Sequence, residues 1–197
     1  MAINEMKIKS VCVYCASNRD ARDIFQTETK RLGQLLAENH INCICGAGDE
    51  GLMGILSDSV LAHGGKMTGV IPQFMVDRDW AHQGLQELIV VKDMHERKQT
   101  MAEKADAFIA LPGGCGTLEE LLEIITWRQL GLYNKPIIIL NIDNYYTPLL
   151  NMFDKAIEEK MMRESHRDLW TVAENADQIP ALLEQLSNKE VAVEPKY

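Results

Sequence analysis

The stretch from Ala110 to Glu123 constrains the fold of this chain most, because an apolar run stops there at a proline and three glycines follow within four residues. The apolar run covers residues 106–111 and helical periodicity resumes at Thr117, so the sequence predicts a strand, a tight loop and a helix. Glycine permits close backbone approach, so the loop amides can converge at the helix N-terminus and bind an anion, phosphate above all. An ordinary strand-to-helix turn is the alternative, although it needs fewer glycines. The converging amides would be those of Gly113, Gly114, Cys115 and Gly116.

The helix after this loop has two distinct faces when its residues are placed at about 100° intervals. One face is mostly apolar and is expected to pack on a sheet; it comprises Leu118, Leu121, Leu122, Ile125 and Gln129. The opposite face comprises Glu120, Glu123, Ile124 and Trp127. Since a solvated face seldom carries isoleucine and tryptophan, we expect another element or another subunit to cover it.

Glu120 has two interpretations that the sequence geometry leaves open. It lies one turn from the predicted phosphate and under partial cover, where a carboxylate can act as an acid or a base. Alternatively, Thr117 is the helix N-cap and the Glu120 side chain reaches back to its amide, which is the pattern of a capping box.

Composition and charge narrow the class of protein. At 197 residues, with 46% hydrophobic and 25% charged residues, the chain is typical of a soluble single domain, here expected over residues 1–188 with a loose tail at 189–197. The formal net charge of −9 argues against a nucleic-acid or membrane-surface partner. Residues 1–7 lack the apolar core of a signal peptide, and no run approaches the length of a membrane span, so we expect a cytoplasmic protein.

The five cysteines raise the question of a metal site. Cys12 and Cys15 form a C-x-x-C, and Cys43 and Cys45 fall in the next predicted strand, so a zinc site of four thiolates has to be considered. However, Cys12 and Cys15 are an odd number of residues apart within a strand and should point to opposite faces. Core packing is therefore the favoured interpretation, and an odd number of cysteines suits a reducing compartment.

The remaining pattern alternates strands with helices. Residues 11–15 and 41–45 read as buried strands on either side of a helix that ends near His40, and such a crossover implies parallel pairing. Further strands are predicted at 87–91 and 136–140. The unbroken apolarity of residues 136–140 indicates a central position in the sheet.

A second glycine-rich loop at residues 46–51 satisfies G-x-G-x-x-G between a strand and a helix, which is a dinucleotide fingerprint. Two observations argue against a dinucleotide there. Asp49 and Glu50 would repel a pyrophosphate, and the next strand, at 67–71, ends in proline and glutamine instead of the acid expected to contact a ribose. The lysine of a Walker A motif is absent as well, which argues against P-loop NTPase chemistry.

The predicted helix at residues 94–101 carries an unusual face. Met94, Arg97, Lys98 and Met101 share it, because they follow the spacing i, i+3, i+4, i+7. This mixture suits a pocket that takes a flat base against methionine and an anion against the cations. The alternative is a surface helix whose long basic side chains lie along it with their charges in water.

Several segments together resemble one known family. Residues 112–120 match the PGGxGTxxE motif of the LOG family, the cytokinin riboside 5′-monophosphate phosphoribohydrolases that are often mislabelled lysine decarboxylases. Residues 94–98 are similar to its M-H-x-R-K segment and 126–129 to its T-W-x-Q. Residues 14–17 resemble the end of its first strand, and residues 51–54 its second glycine loop.

This resemblance implies an α/β fold, a Rossmann-like three-layer α/β/α sandwich with a mostly parallel sheet. It also implies a homodimer with the site near the interface, where Trp127 and Ile124 would lie. The implied reaction is hydrolysis, without cofactor or metal, of the N-glycosidic bond of a purine nucleoside 5′-monophosphate. The substrate would be AMP or an N6-modified, cytokinin-type AMP, and the products a free base and ribose 5-phosphate.

The resemblance also assigns site residues by matching position. Arg97 and Glu120 become the catalytic pair, which favours the functional interpretation of Glu120. The implied phosphate-binding residues are Gly113, Gly114, Gly116, Thr117 and Ser17. The implied base and ribose contacts are Met94, Lys98 and Gly51.

Two departures and one alternative qualify this assignment. Ala47 stands where the family usually has a third glycine and Asn18 where a second serine is common, so an alanine methyl could crowd the ligand or mark a subgroup. Both departures bear on substrate preference more than on reaction type. The alternative is a binding module on the same scaffold, such as a molybdenum-cofactor carrier or a nucleotide sensor, and the presence of Arg97 and Glu120 argues against it. Lysine decarboxylation is disfavoured because nothing in the sequence specifies a pyridoxal-lysine site.

Overall fold

The computed structural model describes residues 8–188, and the tail predicted at 189–197 lies outside them. Within the described range, seven strands form one sheet with helices on both faces. The strands are β1 Ser10–Tyr14, β2 Asn42–Cys45, β3 Met67–Pro72, β4 Glu87–Val91, β5 Ala107–Ala110, β6 Ile137–Leu140 and β7 Thr171–Ala173. The helices are α1 Asp23–Glu38, α2 Gly51–Ala62, α3 Gln73–Val76, α4 Met94–Lys104, α5 Cys115–Gln129, α6 Thr147–Glu158 and α7 Ile179–Ser187. Short 3-10 helices cover Ile142–Asn144, Glu164–Leu169 and Ala176–Gln178.

The sheet order is β4-β3-β2-β1-β5-β6-β7, and every neighbouring pair is parallel. From β1 the chain moves outward through β2, β3 and β4, and then returns to the other side of β1 for β5. The connections that follow β1 and β5 therefore diverge and leave a crevice at the carboxyl ends of these strands, which is where ligands bind in open α/β sheets.

The predicted α/β sandwich with parallel pairing is confirmed, but the predicted central position of residues 136–140 is wrong. β6 is the second strand from one edge, and β1 is central. The unbroken apolarity of β6 has another cause, since Ile137 and Ile139 pack in the core on one face of the sheet and Ile138 and Leu140 in the core on the other.

Each face of the sheet has its own apolar core, because successive side chains of a strand point to opposite sides. One core packs the sheet against α1, α2 and α7, and the other packs it against α4, α5 and α6. Cys15 belongs to the first core and Cys12 to the second, so the prediction that they face apart is confirmed.

The described range includes all five cysteines, and each is free. Burial raises the pKa of the Cys12, Cys15, Cys43 and Cys45 thiols, as expected for cysteines that act as small apolar core residues. Among residues 8–188, no three side chains of the metal-binding types are placed to hold one ion. No helix in that range has both the length and the apolarity needed to cross a bilayer.

Candidate active site

A cavity of about 360 Å³ opens at the carboxyl edge of the sheet, at the crevice between β1 and β5. Its volume is within the range of small-molecule sites. Three segments supply most of its wall: the end of β1 with residues 15–18, one face of α4, and the first turns of α5. The location follows from the topology, because the glycine loop after β5 and the turn after β1 meet at the same edge.

Arg97 from α4 and Glu120 from α5 meet in this cavity. Arg97 Nη1 donates to Glu120 Oε1 at 3.2 Å, and Arg97 Nε donates to the Val70 carbonyl oxygen at 3.2 Å. Arg97 is 7% exposed and Glu120 is 9% exposed, so the ion pair is largely shielded from solvent. Burial raises the pKa of Glu120, and the neighbouring Arg97 opposes that rise. The pair thus combines a carboxylate of increased basicity with a cation that keeps it in place.

Gly46, at the end of β2, makes room for the Arg97 guanidinium. A Cβ atom at Gly46 would lie 1.7 Å from Arg97 Nη2, so no other residue fits there without moving the guanidinium. Sequence reasoning missed this role. The available signal was the G-x-G-x-x-G pattern at residues 46–51.

The glycine loop leads into α5 two residues earlier than predicted. Gly114 is the N-cap and Cys115 the first helical residue, so Thr117 lies inside the first turn. The capping-box interpretation is therefore wrong, and the Glu120 side chain bonds to Arg97. A Cβ atom at Gly113 would lie 2.1 Å from Thr117 Oγ1, whereas a Cβ atom at Gly114 would meet no atom within 4 Å.

Gly114, Gly116 and Thr117 line the cavity, whereas Gly113 is buried behind them. The amides of the first helical turn have no partner inside the helix, and the helix dipole adds a partial positive charge at the same point. The site is thus suited to an anion, although Gly113 shapes the turn and does not line the cavity.

Hydrogen bonds from three residues hold the glycine loop from behind. The Ala16 amide donates to the Pro112 carbonyl oxygen at 3.2 Å. Tyr145 Oη donates to the Gly113 carbonyl oxygen and Tyr146 Oη to the Leu111 carbonyl oxygen, each at 2.7 Å. Sequence reasoning missed both tyrosines, and their adjacency after a buried strand was the available signal.

Ser17 lines the cavity, but Gly51 does not. Gly51 opens α2 with φ +59°, and a Cβ atom there would lie 2.5 Å from the Ser17 carbonyl carbon. The next amide, of Leu52, donates to the Ala16 carbonyl oxygen at 2.9 Å. Gly51 therefore supports the segment that carries Ser17 and lies behind the cavity wall.

Of the residues predicted to contact the base, one lines the cavity and another does not. Met94 lines the cavity, whereas Lys98 is held away from it by two carboxylates of α5. Lys98 Nζ pairs with Glu119 and, at 3.0 Å, with Glu123 Oε1. Sequence reasoning predicted Met101 on this face, and it does line the cavity; it missed Met53 and Met75, which line it as well.

The two departures from the family pattern have different surroundings. Ala47 has φ +60° and is fully buried, and its methyl packs in a small cluster with Ile71 and Ala81 outside the cavity wall. It does not crowd the cavity. Asn18 lines the cavity, and its Oδ1 accepts a hydrogen bond from the Asp20 amide at 2.8 Å.

The predicted faces of α5 need correction. Ile124 is 2% exposed and packs in the core with Leu121 and Ile125, whereas Leu122, predicted to face the sheet, is 40% exposed. The buried stripe includes Glu120 and Arg128, which hydrophobicity alone assigns to solvent. Thus Ile124 is a core residue of this chain and not an interface residue.

A shallow depression lies on the outer side of α5, next to the cavity. Leu118, Leu122 and Trp127 form its apolar part, and Cys115 and Glu119 line both the depression and the cavity. The Trp127 ring packs on that of Tyr133, with 5.5 Å between their centroids. This surface is apolar and adjoins the candidate site.

Comparison with known proteins gives a consistent result. Residues 53–183 match the family described as possible lysine decarboxylase. The chain is 45% identical over 172 residues to a probable cytokinin riboside 5′-monophosphate phosphoribohydrolase of Oryza sativa subsp. japonica, covering 87% of this chain and 75% of that protein. It is 42% identical over 184 residues to a cytokinin riboside 5′-monophosphate phosphoribohydrolase of Arabidopsis thaliana, covering 93% of this chain and 81% of that protein.

Solved structures give a more distant likeness. The molybdenum cofactor carrier protein of Chlamydomonas reinhardtii superposes with a TM-score of 0.71 at 19% identity, covering 93% of this chain and all (100%) of that chain. The molybdenum cofactor binding protein of Rippkaea orientalis superposes with a TM-score of 0.69 at 20% identity, covering 91% and 98%. At these identities the likeness shows a shared fold alone.

Proposed function

This chain belongs to the LOG family, and from that membership we propose that it hydrolyses the N-glycosidic bond of a purine nucleoside 5′-monophosphate. The proposed substrates are AMP and N6-modified, cytokinin-type AMP, and the products are a free base and ribose 5-phosphate. The observation that carries the proposal is the buried pair of Arg97 and Glu120, in one cavity with the open glycine loop of α5.

The phosphate is proposed to bind at the N-terminus of α5. Gly114, Gly116 and Thr117 would surround it, and Ser17 would approach from the end of β1. Amides in the first helical turn bind phosphate without a basic side chain, which suits a protein of net charge −9. Anchoring at the phosphate holds the ribose near Glu120, so nucleosides without a phosphate should react poorly.

The carboxylate of Glu120 is proposed to act at the ribose. The bond from C1′ to the base nitrogen breaks through an oxocarbenium-like transition state, and a nearby carboxylate stabilises that cation or takes a proton from the attacking water. The oxygen of water bonds to C1′, and the departing base nitrogen gains a proton. Arg97 keeps Glu120 oriented and stabilises negative charge on the departing base or the phosphate.

The base would lie against the methionines of the cavity. Met94, Met53 and Met75 supply a flexible apolar surface that accepts a flat ring and a substituent on it. Lys98 acts only indirectly in this proposal, because Glu119 and Glu123 hold its ammonium group. The proposed reaction needs no cofactor.

We also propose a homodimer with the site near the interface. The apolar depression of Leu118, Leu122 and Trp127 supports it, because this surface shares Cys115 and Glu119 with the cavity.

The five free cysteines suit the reducing environment of the cytoplasm, where we place the enzyme.

The test is a direct assay of base release. Purified protein is incubated with AMP and with N6-isopentenyl-AMP, and free base is followed by chromatography across a pH series. We expect release from at least one nucleotide, a loss of about 10²-fold or more in Glu120→Gln, and no change in the exposed control Glu184→Gln. Because Glu120 must be ionised and burial raises its pKa, activity should fall as the pH drops through that raised value.

Two outcomes would count against the proposal. Equal activity in Glu120→Gln would remove Glu120 from the mechanism. Saturable nucleotide binding with no base released from either nucleotide would overturn the hydrolase and favour a carrier or sensor.

A further inference from the structure

Two consecutive tyrosines after β6 make the same kind of bond to the glycine loop. Tyr145 Oη donates to the Gly113 carbonyl oxygen and Tyr146 Oη donates to the Leu111 carbonyl oxygen, both at 2.7 Å. Neither tyrosine lines the cavity. Both therefore act on the ligand site only through the backbone of the loop.

The consequence of each bond depends on the residue that follows the carbonyl. The described chain has no cis peptide bond, so each carbonyl and the next N–H point in opposite directions. The bond from Tyr145 holds the Gly113 carbonyl toward a side chain outside the cavity wall, so the amide of Gly114, on the other side of the same peptide, points away from Tyr145. Gly114 itself lines the cavity. Fixing one peptide plane thus aims one amide at the proposed phosphate.

The bond from Tyr146 has no such effect. The Leu111 carbonyl precedes Pro112, which has no N–H group, so this bond aims no amide. Tyr146 is 1% exposed and its hydroxyl satisfies a buried carbonyl oxygen, which is a contribution to stability. The two tyrosines therefore differ in role although they share the same bond length and acceptor type.

The segment that carries Tyr145 is well anchored. Asp143 and Asn144 adopt φ +50° and +60°, which makes a sharp turn, and Asp143 pairs with Arg22 at 2.8 Å. The Tyr145 ring lies edge-on to Phe25, with 5.5 Å between centroids, while the whole residue remains 40% exposed. Removing only the hydroxyl should leave this packing in place.

We propose that Tyr145 is a positioning residue for phosphate binding: its hydroxyl orients the peptide between Gly113 and Gly114 so that the Gly114 amide donates to the substrate phosphate. This inference rests on the proposed function. Tyr146 stabilises the same loop without orienting a phosphate donor.

The test compares Tyr145→Phe with Tyr146→Phe, which serves as the matched control. For each variant we would measure the Kd for AMP by calorimetry, the KM and kcat for the better nucleotide, the kcat/KM for the matching nucleoside, and the Tm. Tyr145→Phe should raise the Kd and KM for the nucleotide about tenfold, the share of one hydrogen bond to a charged group, with kcat and Tm nearly unchanged. The nucleoside should react as it does with the parent protein, because it has no phosphate.

Tyr146→Phe should show the opposite pattern, a lower Tm with the Kd for AMP changed less than about twofold. An unchanged Kd in Tyr145→Phe, or equal losses with nucleotide and nucleoside, would overturn the positioning role. Failure of the parent protein to release base would overturn the proposed function alone, since the Kd comparison needs no turnover. Failure of the parent protein to bind AMP would overturn both.

Discussion

The two glycine-rich loops of this protein lie at the same edge of the sheet, yet their glycines make room for different things. In the loop after β2, a Cβ atom at Gly46 would meet Arg97 Nη2 at 1.7 Å, and one at Gly51 would meet the Ser17 carbonyl carbon at 2.5 Å. In the loop after β5, a Cβ atom at Gly114 or Gly116 would meet no atom within 4 Å. The first loop is filled by the protein itself, whereas the second leaves space for a ligand.

This difference teaches that a glycine pattern does not by itself identify a nucleotide site. The sequence of the first loop satisfies the dinucleotide fingerprint, but its glycines accommodate the guanidinium of Arg97 and the backbone near Ser17. Its contribution to the site is to let another side chain reach the cavity. The phosphate site that we propose lies at the second loop instead, where a helix of 15 residues begins.

Gly46→Ala should reduce kcat/KM more than the two substitutions that follow. It tests whether the first loop makes room for Arg97. The added methyl would displace the guanidinium, which is the end of a flexible side chain, so the fold should survive with a small change in Tm. A misplaced catalytic group costs about 10²-fold in rate, and we expect that loss in kcat/KM, mainly in kcat. Steady-state kinetics and a thermal melt measure both. If the variant were as active as the parent protein, the reaction would not need Arg97 in this position, and the first loop would have no role in the site.

Gly114→Ala tests the second loop. It should reduce activity by an intermediate amount and act on KM, whereas Gly46→Ala acts mainly on kcat. The residue has φ −84°, which alanine adopts without strain, and the new methyl would project into open space. We expect a similar Tm, with a KM for the nucleotide raised about tenfold, on the order of one lost hydrogen bond to phosphate. A KM equal to that of the parent protein would show that the open space is not used by the phosphate.

Ala47→Gly should have the smallest effect on activity and stability. It compares Ala47, whose methyl lies outside the cavity, with its neighbour Gly46 in the same loop. Ala47 lies at φ +60°, where alanine carries a strain of about 1 kcal/mol that glycine would relieve. Loss of its buried methyl costs about as much, so the stability should change by less than about 1 kcal/mol. The kcat/KM should stay within about twofold, because the methyl packs against Ile71 and Ala81 outside the cavity. A larger kinetic change would show that this residue does influence substrate preference.

Much of this protein was predictable from its sequence. Apolar runs and glycine punctuation located the strands to within about two residues, because these signals are local. The βαβ pattern required parallel pairing, and the three glycines after β5 indicated an anion site at a helix N-terminus. The choice of Arg97 and Glu120 as a pair came from resemblance to a family, since the two residues are 23 positions apart and no local pattern connects them.

The tertiary structure alone decided what each of these features contacts. The order of the strands put β6 near an edge, and the packing of α5 buried Ile124 while it exposed Leu122. Contacts between distant segments gave Gly46 its role beside Arg97 and gave Tyr145 its bond to Gly113. The physical reason is that periodicity and propensity act over one or two turns of chain, whereas the partner of a buried side chain depends on which elements the sheet brings together.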